Sequence, residues 1–322
     1  MGHYGVTIRE PVMIRTVLLA SVCLAISAPA ALAQSHGAGQ PAAVPAGHGH
    51  HHADFQSGRF HVRVDGEGPD VILIPGLSSS PGVWQGTVDA LGGHYRVHRL
   101  HIQGFAGAPA EDNAEGPVSA PVAEDLARYI REQGLERPAV IGHSMGGTIA
   151  MMLAARHPEL VGKLMVVDMV PFMGAMFAGP GGTPESVAPI ADQIQAAMAN
   201  GPADAYQAQL EATITGMILN EGQRAGPLAD SLASDRKVSA AAYRELIVTD
   251  LGPELGRITA PTEVLYVKFN DPRMTPEIVD GIYAVAFTGL PGATLKRIDD
   301  SGHFIMLDQP ERFAAEVEAF LQ

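Results

Sequence analysis

The sequence predicts an α/β fold: a mostly parallel central sheet with helices on both faces and a helical insertion in the second half of the chain. Three observations carry this. Apolar runs at residues 71–74, 139–141, 163–168 and 261–268 lack the regular polar alternation of a half-exposed sheet, so each reads as a strand buried on both faces. Helical patterns fall between strands, as parallel strands require; residues 121–133 place Val122, Leu126 and Ile130 on the inner side of an amphipathic helix. From about 171 to 258 the chain is rich in Ala and Met, with helical stretches and no strand pattern.

The 322 residues, 46% of them hydrophobic, suffice for one large domain with an insertion. With 21 Lys and Arg against 35 Asp and Glu, the formal charge of −14 argues against nucleic acid or an anionic membrane as partner and favours a neutral small molecule.

Residues 16–27 (TVLLASVCLAIS) are apolar, follow Arg9 and Arg15, and precede Ala31-Leu32-Ala33. A basic segment, a short apolar core and a small-x-small site read as a secretory signal over residues 1–33, leaving no stable membrane insertion after cleavage. The apolar run is shorter than the ~20 residues of a spanning helix. The single cysteine, Cys23, lies inside the signal, so the mature chain lacks disulfides. A periplasmic or secreted protein is expected, stabilised by its core alone. Residues 34–56, mostly Gly, Pro, Ala and His, are expected to be a disordered linker. In it His48, His50, His51 and His52 can converge weakly on a transition metal, or the stretch is simply a solvated tether.

The folded domain is expected over residues 57–322. Residues 60–64 alternate apolar and polar, and Asp65-Gly66-Glu67-Gly68 is turn chemistry, so a hairpin leads into the strand at 71–74. A loop, Pro75-Gly76-Leu77-Ser78-Ser79-Ser80, follows, then Trp84. Residues 95–102 form the next strand; its His98 and His101, three apart, point to opposite faces and cannot chelate one ion. The strand at 139–141 then runs into Gly142-His143-Ser144-Met145-Gly146-Gly147 and a helix that ends before Pro158.

A strand that turns this sharply into a helix needs glycines where a Cβ would collide, and the turn lifts Ser144 out of the sheet toward the amide-rich start of the helix. This strand–Gly-x-Ser-x-Gly–helix arrangement resembles the nucleophile elbow of the α/β-hydrolase superfamily, in its serine-nucleophile, esterase- and lipase-like branch with a helical cap. The resemblance spans residues 60–321. It implies the α/β-hydrolase fold, with the cap at about 171–258, and a catalytic order Ser, Asp, His. Ser144 is then the nucleophile. His303, the only histidine in the last third of the chain and set in Ser301-Gly302-His303-Phe304 before a closing helix at 310–321, is the base. The segment PTEVLYVK followed by Phe269-Asn270-Asp271-Pro272 resembles the family's acid-bearing stretch and points to Asp271, although Lys268 stands where glycine is usual; Asp168, at the end of the preceding strand, is the rival. The loop after 71–74 resembles the oxyanion loop, with Pro75 in place of the usual His, and assigns the Leu77 and Met145 N–H groups as oxyanion donors. His143 reads as packing.

Trp84, Met169, Phe172 and Met173 are candidates for the substrate pocket, flexible thioethers suiting an adaptable apolar acyl site; ordinary packing between cap and core is the other reading. The expected activity is hydrolysis of carboxylic esters of small to medium apolar acyl groups through an acyl-enzyme, with no metal or organic cofactor. A carbon–carbon bond hydrolase, a cofactor-free haloperoxidase or perhydrolase, and a non-catalytic binding protein on the same scaffold are the alternatives.

Overall fold

The apolar runs become the interior of a seven-stranded sheet. The computed structural model describes residues 55–179, 181–268, 271 and 273–322. The strands are β1 (Phe60–Asp65), β2 (Asp70–Ile74), β3 (Arg96–Ile102), β4 (Ala139–His143), β5 (Lys163–Val167), β6 (Thr262–Val267) and β7 (Thr294–Ile298), and they lie in the order β1-β3-β2-β4-β5-β6-β7. All neighbours are parallel except β1, which pairs antiparallel with β3. The turn at 65–68 therefore does not close a hairpin: β3 lies between β1 and β2, and the turn only carries the chain across it.

Eleven helices flank the sheet among the described residues: α1 (Gln85–Leu91), α2 (Ser119–Glu132), α3 (Met145–Arg156), α4 (Ala175–Ala178), α5 (Pro184–Asn200), α6 (Ala203–Met217), α7 (Ala225–Ala233), α8 (Arg236–Val248), α9 (Pro276–Ala286), α10 (Ile305–Asp308) and α11 (Pro310–Leu321). Alternate strand residues feed two cores. Ile72, Ile74, Val140, Leu164, Val166 and Val264 pack with α2, α3 and α9, while Val71, Leu73, Ile141, Met165, Val167 and Leu265 pack with α1 and α11. Burying one such side chain contributes about 1.5–3 kcal/mol. Every residue of α3 except its last, Arg156, is buried, as a helix that is apolar on all sides must be.

Between β5 and β6 the described residues hold helices α4 to α8 and no strand. Side chains tie this cap segment to the sheet end. Glu245 on α8 accepts the Val118, Ser119 and Ala120 N–H groups at the start of α2, at 2.7, 2.7 and 3.0 Å. These are the donors a helix start leaves unpaired, and a carboxylate there also meets the positive end of the helix dipole. Asp308 on α10 accepts from Leu219 and Asn220, just after α6, and from Gly302 beside the predicted base. Among the described residues no helix is long and apolar enough to cross a membrane. The expected signal, most of the linker and the four clustered linker histidines lie outside the described residues.

Candidate active site

In a mostly parallel sheet, the loops at the carboxyl ends of the strands meet on one edge, and ligand sites form there. The predicted serine follows β4, the predicted histidine follows β7, and the oxyanion loop follows β2.

Ser144 stands at the tip of the turn with φ 54° and ψ −121°. A positive φ is rare for a residue with a side chain and is held here by its surroundings. The Ser144 N–H donates to the Val167 carbonyl at 2.9 Å, fixing the turn to the end of β5. Gly146 has no room for a side chain, since a Cβ would lie 2.2 Å from the Ile74 carbonyl oxygen. From Val140 to Ala155 every residue is buried except Ser144, which is partly exposed. A closely packed turn thus presents one partly exposed residue, Ser144.

The amides of Leu77 and Met145 lie next to that turn in the chain or in space. A Cβ on Gly76 would lie 3.2 Å from Ser144 Cβ, so the backbone leading to Leu77 runs against the serine. Among the described residues neither the Leu77 nor the Met145 N–H donates to a protein acceptor, consistent with donors held for a ligand. The loop is held in place by the cap: Ser78 Oγ is 2.8 Å from Ser239 Oγ on α8, and the Ser80 N–H donates to Asp230 Oδ2 on α7 at 2.9 Å.

The carboxylate that meets His303 differs from the one expected. His303 Nδ1 lies 2.6 Å from Asp168 Oδ2, and Asp168 is at the end of β5 with its side chain only 3% exposed. Its other oxygen, Oδ1, accepts the Val267 N–H at 3.1 Å and the Tyr283 hydroxyl at 2.9 Å. Three donors thus converge on one buried carboxylate. Burial, with Asp168 beside it, pushes the Tyr283 phenol well above its usual range, so it remains a donor. Asp271 instead turns to Arg273, whose Nη2 is 2.6 Å from Asp271 Oδ2 and whose Nε is 3.0 Å from Oδ1. That guanidinium holds the Asp271 carboxyl down to about 2. An acid two residues from an arginine is satisfied locally, whereas Asp168 has its partner across the site.

With Nδ1–H given to Asp168, the neutral His303 ring keeps its lone pair on Nε2, the nitrogen a nucleophile's proton needs. The His303 ring is 20% exposed. Its carbonyl accepts from Nε2 of His143, which is entirely buried beneath the turn.

Trp84 is not at this site. It is 0% exposed and packs on Phe313 of α11, with ring centroids 6.0 Å apart, in the core below the sheet. The 3-10 turn Pro81–Trp84 directs it there, away from the pocket expected from its place after the oxyanion loop. Met169 is buried too, its Cβ against Gly147 of α3. Phe172 and Met173 are half-buried and pack on a small cap core of Val187, Ala191 and Ile247, so the packing reading accounts for the contacts they make. The described residues contain no cluster of His, Cys, Asp and Glu that could hold a metal ion. A surface hollow lined by His61, Arg63, Gln85, Arg99 and His101 contains none of the three site side chains.

Comparison with known proteins agrees with this fold. A sequence model described as the alpha/beta hydrolase family matches residues 71–316. A pimeloyl-[acyl-carrier protein] methyl ester esterase of Nitrosomonas europaea is 26% identical over 267 residues, 81% of this chain and 98% of that protein. One of the same name from Aeromonas hydrophila is 36% identical over 124 residues, 38% of this chain and 46% of that protein. That match, like several of the curated relatives, thus spans about half of the relative's length or less. An enol-lactonase from Burkholderia xenovorans LB400 has a similar structure, with a TM-score of 0.65, 22% identity, and coverage of 81% of this chain and 96% of that one. At that identity it bears on the fold alone.

Proposed function

The chain belongs to the alpha/beta hydrolase family, and from that premise we propose that it is a serine hydrolase cleaving carboxylic esters, with Ser144 as nucleophile, His303 as base and Asp168 as acid. The observation that carries the reading is the 2.6 Å contact between His303 Nδ1 and buried Asp168, at the same sheet end as the strained, partly exposed Ser144. In this reading Ser144 Oγ attacks the ester carbonyl as its proton passes to His303 Nε2. Asp168 stabilises the imidazolium and keeps the ring in the useful tautomer. The Leu77 and Met145 N–H groups donate to the oxyanion. Collapse expels the alcohol, which takes the proton from His303, and water then releases the acid by the same steps in reverse.

The name of the Nitrosomonas europaea relative supports an ester carbonyl as the target, a methyl ester in that case. Small to medium apolar acyl groups remain the proposed substrates, in keeping with the apolar Met169–Phe177 stretch that leads into the cap. Export directed by residues 1–33 is a further part of the proposal, tested by sequencing the N-terminus of the protein recovered outside the cytoplasm.

The test is hydrolysis of p-nitrophenyl esters from acetate to palmitate, with Ser144→Ala as comparison and a fluorophosphonate to label the serine. Turnover lost by at least about 10⁴-fold in the variant, with one phosphonate on Ser144, is expected. Equal turnover in both proteins, or no labelling of the wild type, overturns the proposal.

A further inference from the structure

The His143 side chain lies directly beneath the nucleophile, where a flat ring is more than filler. Three contacts define its place. Nε2 is 3.0 Å from the carbonyl oxygen of His303, to which it donates. On its opposite edge, Nδ1 is buried with no hydrogen-bond partner among the described residues, against Gly76 at the start of the loop after β2; a Cβ on Gly76 would lie 3.1 Å from it. The ring faces meet the His303 and Phe304 rings, with centroids 4.6 and 4.7 Å away, and Trp84 approaches edge-on at 6.4 Å.

A packing residue here would need no nitrogen, and a phenylalanine would avoid the orphaned Nδ1. The imidazole keeps one N–H for a carbonyl, and that carbonyl belongs to the residue whose side chain takes the serine's proton. The same ring, through its bare edge, sets how near the Gly76–Leu77 backbone comes to Ser144.

We infer that His143 is a positioning residue: it spans the loop of the base and the loop of the oxyanion donors, and its Nε2–H fixes the His303 backbone so that the base and the amides stand at the spacing Ser144 requires. The inference rests on the function proposed above. Only one tautomer serves. The ring must be neutral with its proton on Nε2, because Nδ1–H would have no acceptor and Nε2 would then turn a lone pair toward the His303 carbonyl. Displacement of a catalytic group by about 1 Å costs on the order of 100-fold in rate, which sets the scale of the effect.

The experiment compares His143→Gln, which keeps an N–H donor at similar reach, with His143→Phe, which keeps an apolar ring and loses the donor. On p-nitrophenyl esters, kcat should fall about 10- to 100-fold in His143→Phe with KM little changed, and His143→Gln should recover most of it. A packing role reverses that order, Phe retaining more activity than Gln, and that result overturns the inference. If the phenylalanine variant does not fold, nitrogen NMR of the wild-type imidazoles decides. A neutral His143 protonated on Nε2 is expected; a ring protonated on Nδ1, or one that titrates near neutrality, sinks the assignment. A wild type without esterase activity or phosphonate labelling would overturn the proposed function instead, and the NMR result would still stand by itself.

Discussion

Tyr283 on α9 donates its hydroxyl to Asp168 Oδ1 at 2.9 Å, and its ring stacks on Tyr266 of β6 with centroids 4.1 Å apart. Asp168, the proposed acid, is thus held from behind by an aromatic pair while its other oxygen faces His303. Tyr283→Phe keeps the stack and deletes the bond. A hydrogen bond to a charged group is worth about 1.5–3 kcal/mol, so urea unfolding should show a loss near the lower end and kcat should drop several-fold. Unchanged stability and rate would mean the bond carries no weight.

The choice of acid can be read from one pair of variants. Asp168→Asn should lower kcat by about 10³- to 10⁴-fold, because an amide favours the wrong histidine tautomer. Asp271→Asn, which disturbs only the ion pair with Arg273, should remain within about twofold of wild type. The reverse pattern in ester turnover would return the role to Asp271.

Acid should weaken the fold through His143. Burial, then the nearby His303, holds its imidazole well below the ordinary value of 6.5. Below 6.5 the unfolded chain takes up a proton that the folded chain refuses. The stability of the neutral ring is therefore complete above that pH and is lost as pH falls toward the folded value, by at most about 1.4 kcal/mol per pH unit. Urea unfolding at pH 7.5, 6 and 5 should show wild type and His143→Gln converging in stability as pH falls. Parallel curves would contradict this.

Glu245→Ala leaves three N–H groups at the start of α2 without their acceptor and cuts a tie between cap and core. A destabilisation of roughly 3 kcal/mol is expected from buried donors left unmet. Hydrogen exchange should speed up along α8 and the first turn of α2 together; exchange confined to either one would show that they are not coupled through this carboxylate.

At alkaline pH, Tyr129 gives a separate signal. Burial raises its phenol from 10.0 to about 12, and its hydroxyl meets His98 Nδ1 at 2.7 Å. Since the folded value is the higher, the stability tied to the protonated phenol is complete below pH 10 and is lost as pH rises through about 12. Tyr129→Phe should flatten that part of the stability curve, measured by urea unfolding between pH 9 and 11.

Much of this is legible without coordinates. Ser144 can be read because its turn admits only glycine at several nearby places, and steric demands of that kind leave a pattern in sequence. His303 can be read from its Gly-His loop and from the lack of competing histidines in the last third of the chain. The acid cannot be decided that way, because Asp168 and Asp271 both follow strands that are neighbours in the sheet, and no local pattern tells which strand end lies nearer the histidine. The one available signal is Arg273, two residues from Asp271 and able to satisfy it. Trp84 misleads for a similar reason: its place in sequence after the oxyanion loop says nothing about which side of the sheet a 3-10 turn delivers it to. The partner of β1 is equally hidden, since turn residues fix where a chain reverses and not which strand it then joins.

With the proposed acid at the end of β5, the connection from β6 to α9 is relieved of chemistry. Among the described residues Asp168 is tied to Val267 before that connection and to Tyr283 after it, and to nothing between them. A recognition peptide or a second domain grafted between β6 and α9 would therefore leave each proposed reacting group its own anchor.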